Sequence, residues 1–229
     1  MDHSLNNVVW NAITTDNVYL ATHNEVVGVF QRDIAPFAAV KNFDEIHLNA
    51  LVQYLEPGRT IALLNHEDYE LNLMWKSLLE LTIYQMVHSG TRPVRKLQGI
   101  ELIPLNESHV PLMLALTSMM KPGPFFDRTI LFGHYFGIFD GDKLVSMAGL
   151  RFATPKFKEI SAVCTHPDYF GRGYARILME HLILLIQSWG CTPFLHVKQD
   201  NVHAIEIYKK LGFDIRTPVF FKMAKAQLV

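Results

Sequence analysis

The apolar and polar positions of this chain are sharply ordered in its second half. "KEISAVCT", Lys158 to Thr165, and "PFLHV", from Pro193, are short apolar runs with β-branched and aromatic residues, and they predict strands. Between them, apolar residues recur at Tyr174, Ile177, Leu178, Leu182, Leu185, Ile186 and Trp189. That spacing predicts an amphipathic helix stopped by Gly190. "GHYFGIFDGDKLVSMAGLRFA" predicts a hairpin around Asp140-Gly141-Asp142, because Asp-Gly between apolar strands is a strong turn signal. "GIELIPL" predicts a strand. "NESHVPLMLALTSM" predicts a helix capped by Asn106 or Ser108, with Pro111 in its first turn. "NVHAIEIYKKLGF" predicts a helix capped by Asn201, with Lys209 and Lys210 in its last turn, and "VFFKMA" predicts a closing strand. The order is β-α-β-β-β-α-β-α-β, an α+β pattern rather than strict alternation.

The first hundred residues are less ordered. Ile46 to Leu55 has helical spacing, Thr60 to Leu64 reads as a short strand after "EPGR", and the run from Leu78 to Val87 ends as a strand. "HSGTRPVRKLQG", His88 to Gly99, is polar, basic and broken by Gly and Pro. A boundary near residue 95 follows, with an N-terminal α/β domain over 1–95 and a second domain over 96–229. There is no low-complexity tract and no fixed-period repeat.

Composition narrows the class. The chain has 229 residues, 49% hydrophobic and 19% charged, enough for a sizeable core. A net charge of -1 gives no electrostatic case for nucleic acid or an anionic membrane. Two cysteines, Cys164 and Cys191, argue against a disulfide scaffold and for a reducing, cytoplasmic home. The start lacks the pattern of a signal peptide, and no apolar run is long enough to span a bilayer. None of the eleven histidines shows zinc spacing, so no metal is expected; His196 and His203 read as structural or solvent-facing.

"THPDYFGRGYA", Thr165 to Ala175, sets Gly171 and Gly173 around Arg172 between a strand and a helix start. Such a turn exposes backbone N–H groups beside the positive end of the helix dipole, which suits an anion. A dinucleotide fingerprint fails because Arg176 stands at the third glycine position, and the P-loop's Gly-Lys-Ser/Thr end is absent. What remains is a Gly-x-Gly-x-Ala turn with an arginine able to reach a phosphate. A plain tight turn with close helix packing is the alternative.

Together, "EISAVCTHPDYFGRGYARIL", "PFLHV" and "NVHAIEIYKKLGF" resemble the GNAT superfamily of acyl-CoA-dependent N-acetyltransferases, over roughly residues 98–224. "PGPF" and "EISAVCTHP" point to a subgroup with an extra N-terminal domain. The resemblance implies a mixed, mostly antiparallel sheet flanked by helices, with acetyl-CoA as cosubstrate. Gly173 and Ala175 match the last fixed positions of the family's coenzyme motif, whereas Phe170 stands where Gln or Arg is usual. It further implies that pantetheine pairs with the backbone around Val163, Cys164 and Thr165. The amides of Gly171, Arg172, Gly173, Tyr174, Ala175 and Arg176 would hold the pyrophosphate.

For chemistry, the resemblance makes Glu159 the group that deprotonates the amine or orients a water. It makes Tyr208 the acid that protonates the departing sulfur, and Asn201 a pantetheine contact. Helical spacing puts Asn201 and Tyr208 on one face. The structural alternatives are an exposed strand-end carboxylate near Lys156 and Lys158, a core aromatic, and a plain N-cap. Cys164 could be an acyl-accepting nucleophile but suits a small core position better. "KPGPFF", from Lys121, is expected to border the acceptor. The expected activity is acetyl transfer to a small-molecule or peptide amine by direct attack in a ternary complex. The rival is a non-catalytic acyl-CoA-binding or sensing module. The identity of the acceptor and the oligomeric state, a homodimer included, stay open.

Overall fold

The computed structural model describes residues 3–90 and 99–227. The N-terminal part contains α1 (Val8–Ile13), a three-stranded antiparallel sheet of β1 (Ala21–His23), β2 (Val27–Phe30) and β3 (Ala38–Val40), and α2 (Glu45–Tyr54). Then follow β4 (Thr60–Asn65) and β5 (Trp75–His88). After residue 99 come β6 (Ile103–Pro104), α3 (Val110–Met120), β7 (Phe136–Asp140), β8 (Lys143–Ala153) and β9 (Phe157–Thr165). The chain ends with α4 (Tyr174–Ser188), β10 (Thr192–Lys198), α5 (Val202–Lys210) and β11 (Phe213–Ala226). From residue 99 on, this is the expected order of elements.

Eight strands form one sheet in the order β4-β11-β5-β10-β9-β8-β7-β6. Every pair in it is antiparallel except β9 with β10. The boundary expected near residue 95 falls at 91–98, outside the described residues. On either side of it the chain adds strands to this one sheet, because β11 lies between β4 and β5.

The two faces carry different cores. Leu178, Leu182, Ile183 and Ile186 of α4 pack with Ile205 of α5 against Leu150, Ile160, Leu195 and Val197 of the sheet. On the opposite face, Val8 and Val9 of α1 and Met113 and Leu116 of α3 meet Phe152, Cys164 and Phe194. Burying a large aliphatic side chain is worth about 1.5–3 kcal/mol, so these two layers fix the sheet from both sides.

Three elements differ from the sequence pattern. "GIELIPL" is a strand only at Ile103–Pro104, since Pro104 has no N–H to extend an edge ladder. The final strand starts at Phe213 rather than Val219. Pro218, which breaks the apolar pattern, follows a register shift that leaves Arg216 out of the ladder. Trp189 ends α4 at its C-cap and is 40% exposed, its ring tilted against His134 rather than in the core.

Candidate functional site

The strands β9 and β10 pair only from Phe157 to Glu159, against Thr192 to Phe194. Beyond that point β9 follows β8 as far as Thr165, and β10 follows β5 as far as Lys198. The sheet therefore splits, leaving two backbone edges that diverge. Along β9 the pairing with β8 shifts: Ser161 meets Gly149, but Cys164 meets Met147. Ala162 and Val163 thus bulge opposite Ala148, and Ala162 takes φ +53°, a strained conformation for a residue with a Cβ. This bulge turns main-chain groups into the split. Of the residues expected there, Val163 packs toward α4, while Cys164 is buried on the opposite face. Thr165 Oγ1 is 2.8 Å from Ser146 Oγ. Burial pushes the Cys164 thiol up to about 12, so it is a packed core thiol and not a thiolate nucleophile.

Past β9 the chain makes a short 3-10 turn, Pro167–Tyr169, and reaches Gly171 at φ +77° and Gly173 at φ +80°. Both conformations favour glycine. A Cβ at either position would meet nothing within 4 Å, so the space in front of the turn is open. Gly173 caps α4 without any side-chain hydrogen bond. The N–H groups of Tyr174, Ala175 and Arg176, in the first turn, have no intrahelical acceptor. Arg172 lies over the Tyr169 ring at 4.6 Å, and Arg176 Nε donates to Glu180 Oε1 at 2.8 Å. Phe170, the position where the resemblance expects Gln or Arg, is an apolar side chain 59% exposed.

At the apex of the split stands Glu159, and here the structural alternative drawn from the sequence is corrected. Glu159 is not an exposed strand-end carboxylate; it is fully buried. Oε1 accepts from Arg151 Nη2 at 2.6 Å and from His196 Nδ1 at 2.7 Å. Oε2 accepts from Arg151 Nε at 2.8 Å and from the Phe152 N–H at 3.3 Å. Burial raises its pKa, but the Arg151 guanidinium and then His196 outweigh burial and hold it at about 2. A carboxylate with four donors and that affinity for protons is a poor base. Lys158 takes another partner, pairing with Asp16.

The network continues across the sheet. Gln85 Oε1 accepts from Arg216 Nη1 at 2.8 Å, and Gln85 Nε2 donates to the Leu5 carbonyl at 3.1 Å. The same Nε2 lies 3.2 Å from His196 Nε2. His196 therefore accepts at Nε2 and donates from Nδ1, a tautomer fixed by its two neighbours. Arg151 and His196 were not legible as partners of Glu159, nor Gln85 as the residue behind His196. The available signal was a polar residue inside each apolar strand, as in "GLRFA" and "IYQMV".

On α5, Asn201 Oδ1 accepts from the Ala204 N–H at 3.2 Å, so the N-cap expectation is met. Tyr208 packs with the α4 core and meets Phe213 edge-on, with ring centroids 6.3 Å apart. Among the described residues nothing hydrogen-bonds its hydroxyl. Burial pushes the phenol up to about 12, so it holds its proton at neutral pH. No group of three or more metal-ligating side chains comes together among the described residues. No helix among them is long and apolar enough to cross a membrane.

Comparison with known proteins agrees with this geometry. Residues 112–213 match the acetyltransferase (GNAT) family, a span that includes β9, α4 and α5. A GNAT-family protein of Novosphingobium aromaticivorans DSM 12444 superposes over 99% of this chain and 100% of its own, with a TM-score of 0.90 and 29% identity. A GCN5-related N-acetyltransferase of Kribbella flavida shares the fold over 97% of this chain and 96% of its own, with a TM-score of 0.64 and 10% identity. The N-alpha-acetyltransferase RimI of Mycobacterium tuberculosis (strain ATCC 25618 / H37Rv) is 35% identical over 83 residues, 35% of this chain and 51% of that protein. The ribosomal protein bS18-alanine N-acetyltransferase of Escherichia coli (strain K12) is 39% identical over 56 residues, 24% of this chain and 38% of that protein. The chain thus spans about half or less of the curated relatives it matches. The fold is GNAT-like, and the match to the acetyltransferase (GNAT) family covers residues 112–213.

Proposed function

We propose that this protein is an acetyl-CoA-dependent N-acetyltransferase, acting by direct attack of an amine on the bound thioester. The observation that carries this reading is the split between β9 and β10, running into a glycine turn whose helix-start N–H groups have no intrahelical acceptor. The pantetheine arm would pair with main chain at Val163 to Thr165, and the amides from Gly171 to Arg176 would hold the pyrophosphate. A strand N–H at the bulge polarises the acyl carbonyl. The amine nitrogen bonds to the acyl carbon as the carbon–sulfur bond breaks. Tyr208 gives its proton to the sulfur, and the amine proton leaves to water.

Glu159 has no part in proton transfer in this scheme. It is a positioning residue: through His196 it ties β9 to β10 at the point where they part. The acceptor is an amine, and a peptide beginning with alanine is the first candidate because related enzymes are named for such a substrate. The chain architecture, with strands before residue 90 completing the sheet, supports the subgroup with an extra N-terminal region. The saturated state of Glu159, which argues against the expected base, is the observation favouring a non-catalytic acyl-CoA-binding module.

Thiol release from acetyl-CoA separates the two, measured with an alanine-initiated peptide and a panel of small amines. An enzyme releases thiol only with an acceptor present, and Tyr208→Phe lowers kcat by roughly 10²-fold with little change in coenzyme affinity. Thermal stabilisation by acetyl-CoA without thiol release from any acceptor would favour the binding module.

A further inference from the structure

Tyr208 approaches the split from the α5 side. A second tyrosine approaches from the other face of the sheet. Tyr135, just before β7, is 2% exposed and lies in the core beneath α3. Its ring lies across β8 at Gly149, where a Cβ would stand 2.2 Å from the nearest ring atom. Only glycine leaves room for the ring. Phe136 pairs with Ala148, so Tyr135 stands opposite Gly149 and its ring extends over β8 toward the next strand, β9. There Gly149 pairs with Ser161, immediately before the bulge at Ala162. Phe125, from "KPGPFF", holds the ring edge-on at 5.7 Å between centroids.

The hydroxyl at the end of this ring has no hydrogen-bond partner among the described residues. Burial raises its pKa first, Arg151 opposes that, and Glu159 and Cys164 add to it, so the phenol keeps its proton. Tyr135 as a whole is 2% exposed, and a polar group so shielded from water is normally given a hydrogen-bond partner. A ligand at the bulge would satisfy this one.

We propose that Tyr135 is a further residue of the acyl-transfer site, its hydroxyl donating a hydrogen bond to the acyl carbonyl oxygen at the β9 bulge. The proposal rests on the acyl-CoA reading given above. A donor at that oxygen stabilises the charge that develops there as the amine attacks, and it adds to the strand N–H from the opposite side. It also gives Gly149 a purpose, since that glycine lets a tyrosine reach the split from β7.

The test uses protein with tyrosine labelled at 13Cζ, titrated separately with acetyl-CoA and with CoA, while Tm reports binding. The Tyr135 resonance is assigned with Tyr135→Phe, which keeps the ring over Gly149. Should that variant not fold, Phe variants of the other tyrosines assign it by elimination. Both ligands should raise Tm, and only acetyl-CoA should move the Tyr135 resonance. Tyr135→Phe should bind acetyl-CoA as the wild type does and release thiol roughly 10²-fold more slowly, the size seen when one oxyanion donor is lost. If acetyl-CoA raises Tm but the resonance stays fixed and thiol release is unchanged, Tyr135 is a packing residue and the proposal is overturned. If neither ligand raises Tm, the acyl-CoA reading fails, and this proposal fails with it.

Discussion

The apex of the split and the turn before α4 are at opposite ends of one strand, and they treat polar groups in opposite ways. At the apex, Glu159 accepts four hydrogen bonds, and Gln85 and His196 are held on both sides. At the turn, the first N–H groups of α4 have no intrahelical acceptor, and among the described residues nothing hydrogen-bonds the Tyr208 or Tyr135 hydroxyl. A polar group with its full set of bonds is spent on structure. One that is oriented but unbonded is where a ligand finds its contacts. This difference is why the proposed scheme gives Glu159 a positioning role and Tyr208 the proton transfer.

The largest expected effect lies at the apex. Glu159→Gln leaves the Arg151 guanidinium buried without its counter-charge, which should cost about 3–5 kcal/mol of stability. The pH dependence has a definite sign. Glu159 falls from a reference near 4.5 to about 2, a depression worth about 3 kcal/mol. That stability is present above about pH 4.5 and is lost as pH falls toward 2. Denaturant unfolding at pH 7 and pH 3 should show the wild type losing more stability than the variant. A variant as stable as the wild type, with a turnover deficit that vanishes at high pH, would make Glu159 the base after all and break the contrast.

At the turn, Gly173→Glu should remove the acetyl-CoA-dependent rise in Tm, by placing bulk and negative charge where the diphosphate is held. At a ligand concentration of 100 Kd that stabilisation is about 2.7 kcal/mol, so its loss is easily read. Gly190 provides the control. It has φ +71°, also faces nothing within 4 Å, and ends the same helix. Gly190→Glu carries similar backbone strain but should keep the coenzyme response. Loss of the response in both variants would assign the effect to strain in α4 rather than to a site.

The sequence was most informative where the relevant signal is local. The glycine turn, the Asp-Gly hairpin and the helix from Tyr174 are each written within about twenty residues, and the structure has all three. The partners of Glu159 were hidden for the opposite reason. Arg151 is close in sequence, but a register shift between β8 and β9 decides that it faces Glu159. His196, and Gln85 behind it, arrive from distant strands, so no spacing rule reaches them. The pairing of β11 with both β4 and β5 is likewise long-range, and no local pattern in the first hundred residues announces it. Tyr135 was overlooked because its role depends on the missing side chain of Gly149, on a neighbouring strand.

The smallest expected effect concerns Asn201, which belongs to both halves of the contrast. Its Oδ1 is used by the Ala204 N–H, as in the apex, while its Nδ2 has no partner among the described residues, as at the turn. Asn201→Ala should cost about 1 kcal/mol of stability through loss of the cap. Asn201→Asp keeps a cap oxygen and adds a favourable negative charge at the helix start, so it should regain that stability. It does not restore the amide donor. If Nδ2 bonds the coenzyme, both variants should bind acetyl-CoA about 2–10-fold more weakly, the worth of one neutral hydrogen bond. Calorimetric titration alongside denaturant unfolding separates the two roles. Recovery of both stability and affinity in Asn201→Asp would make Asn201 a cap alone and leave the pantetheine to the main chain of β9.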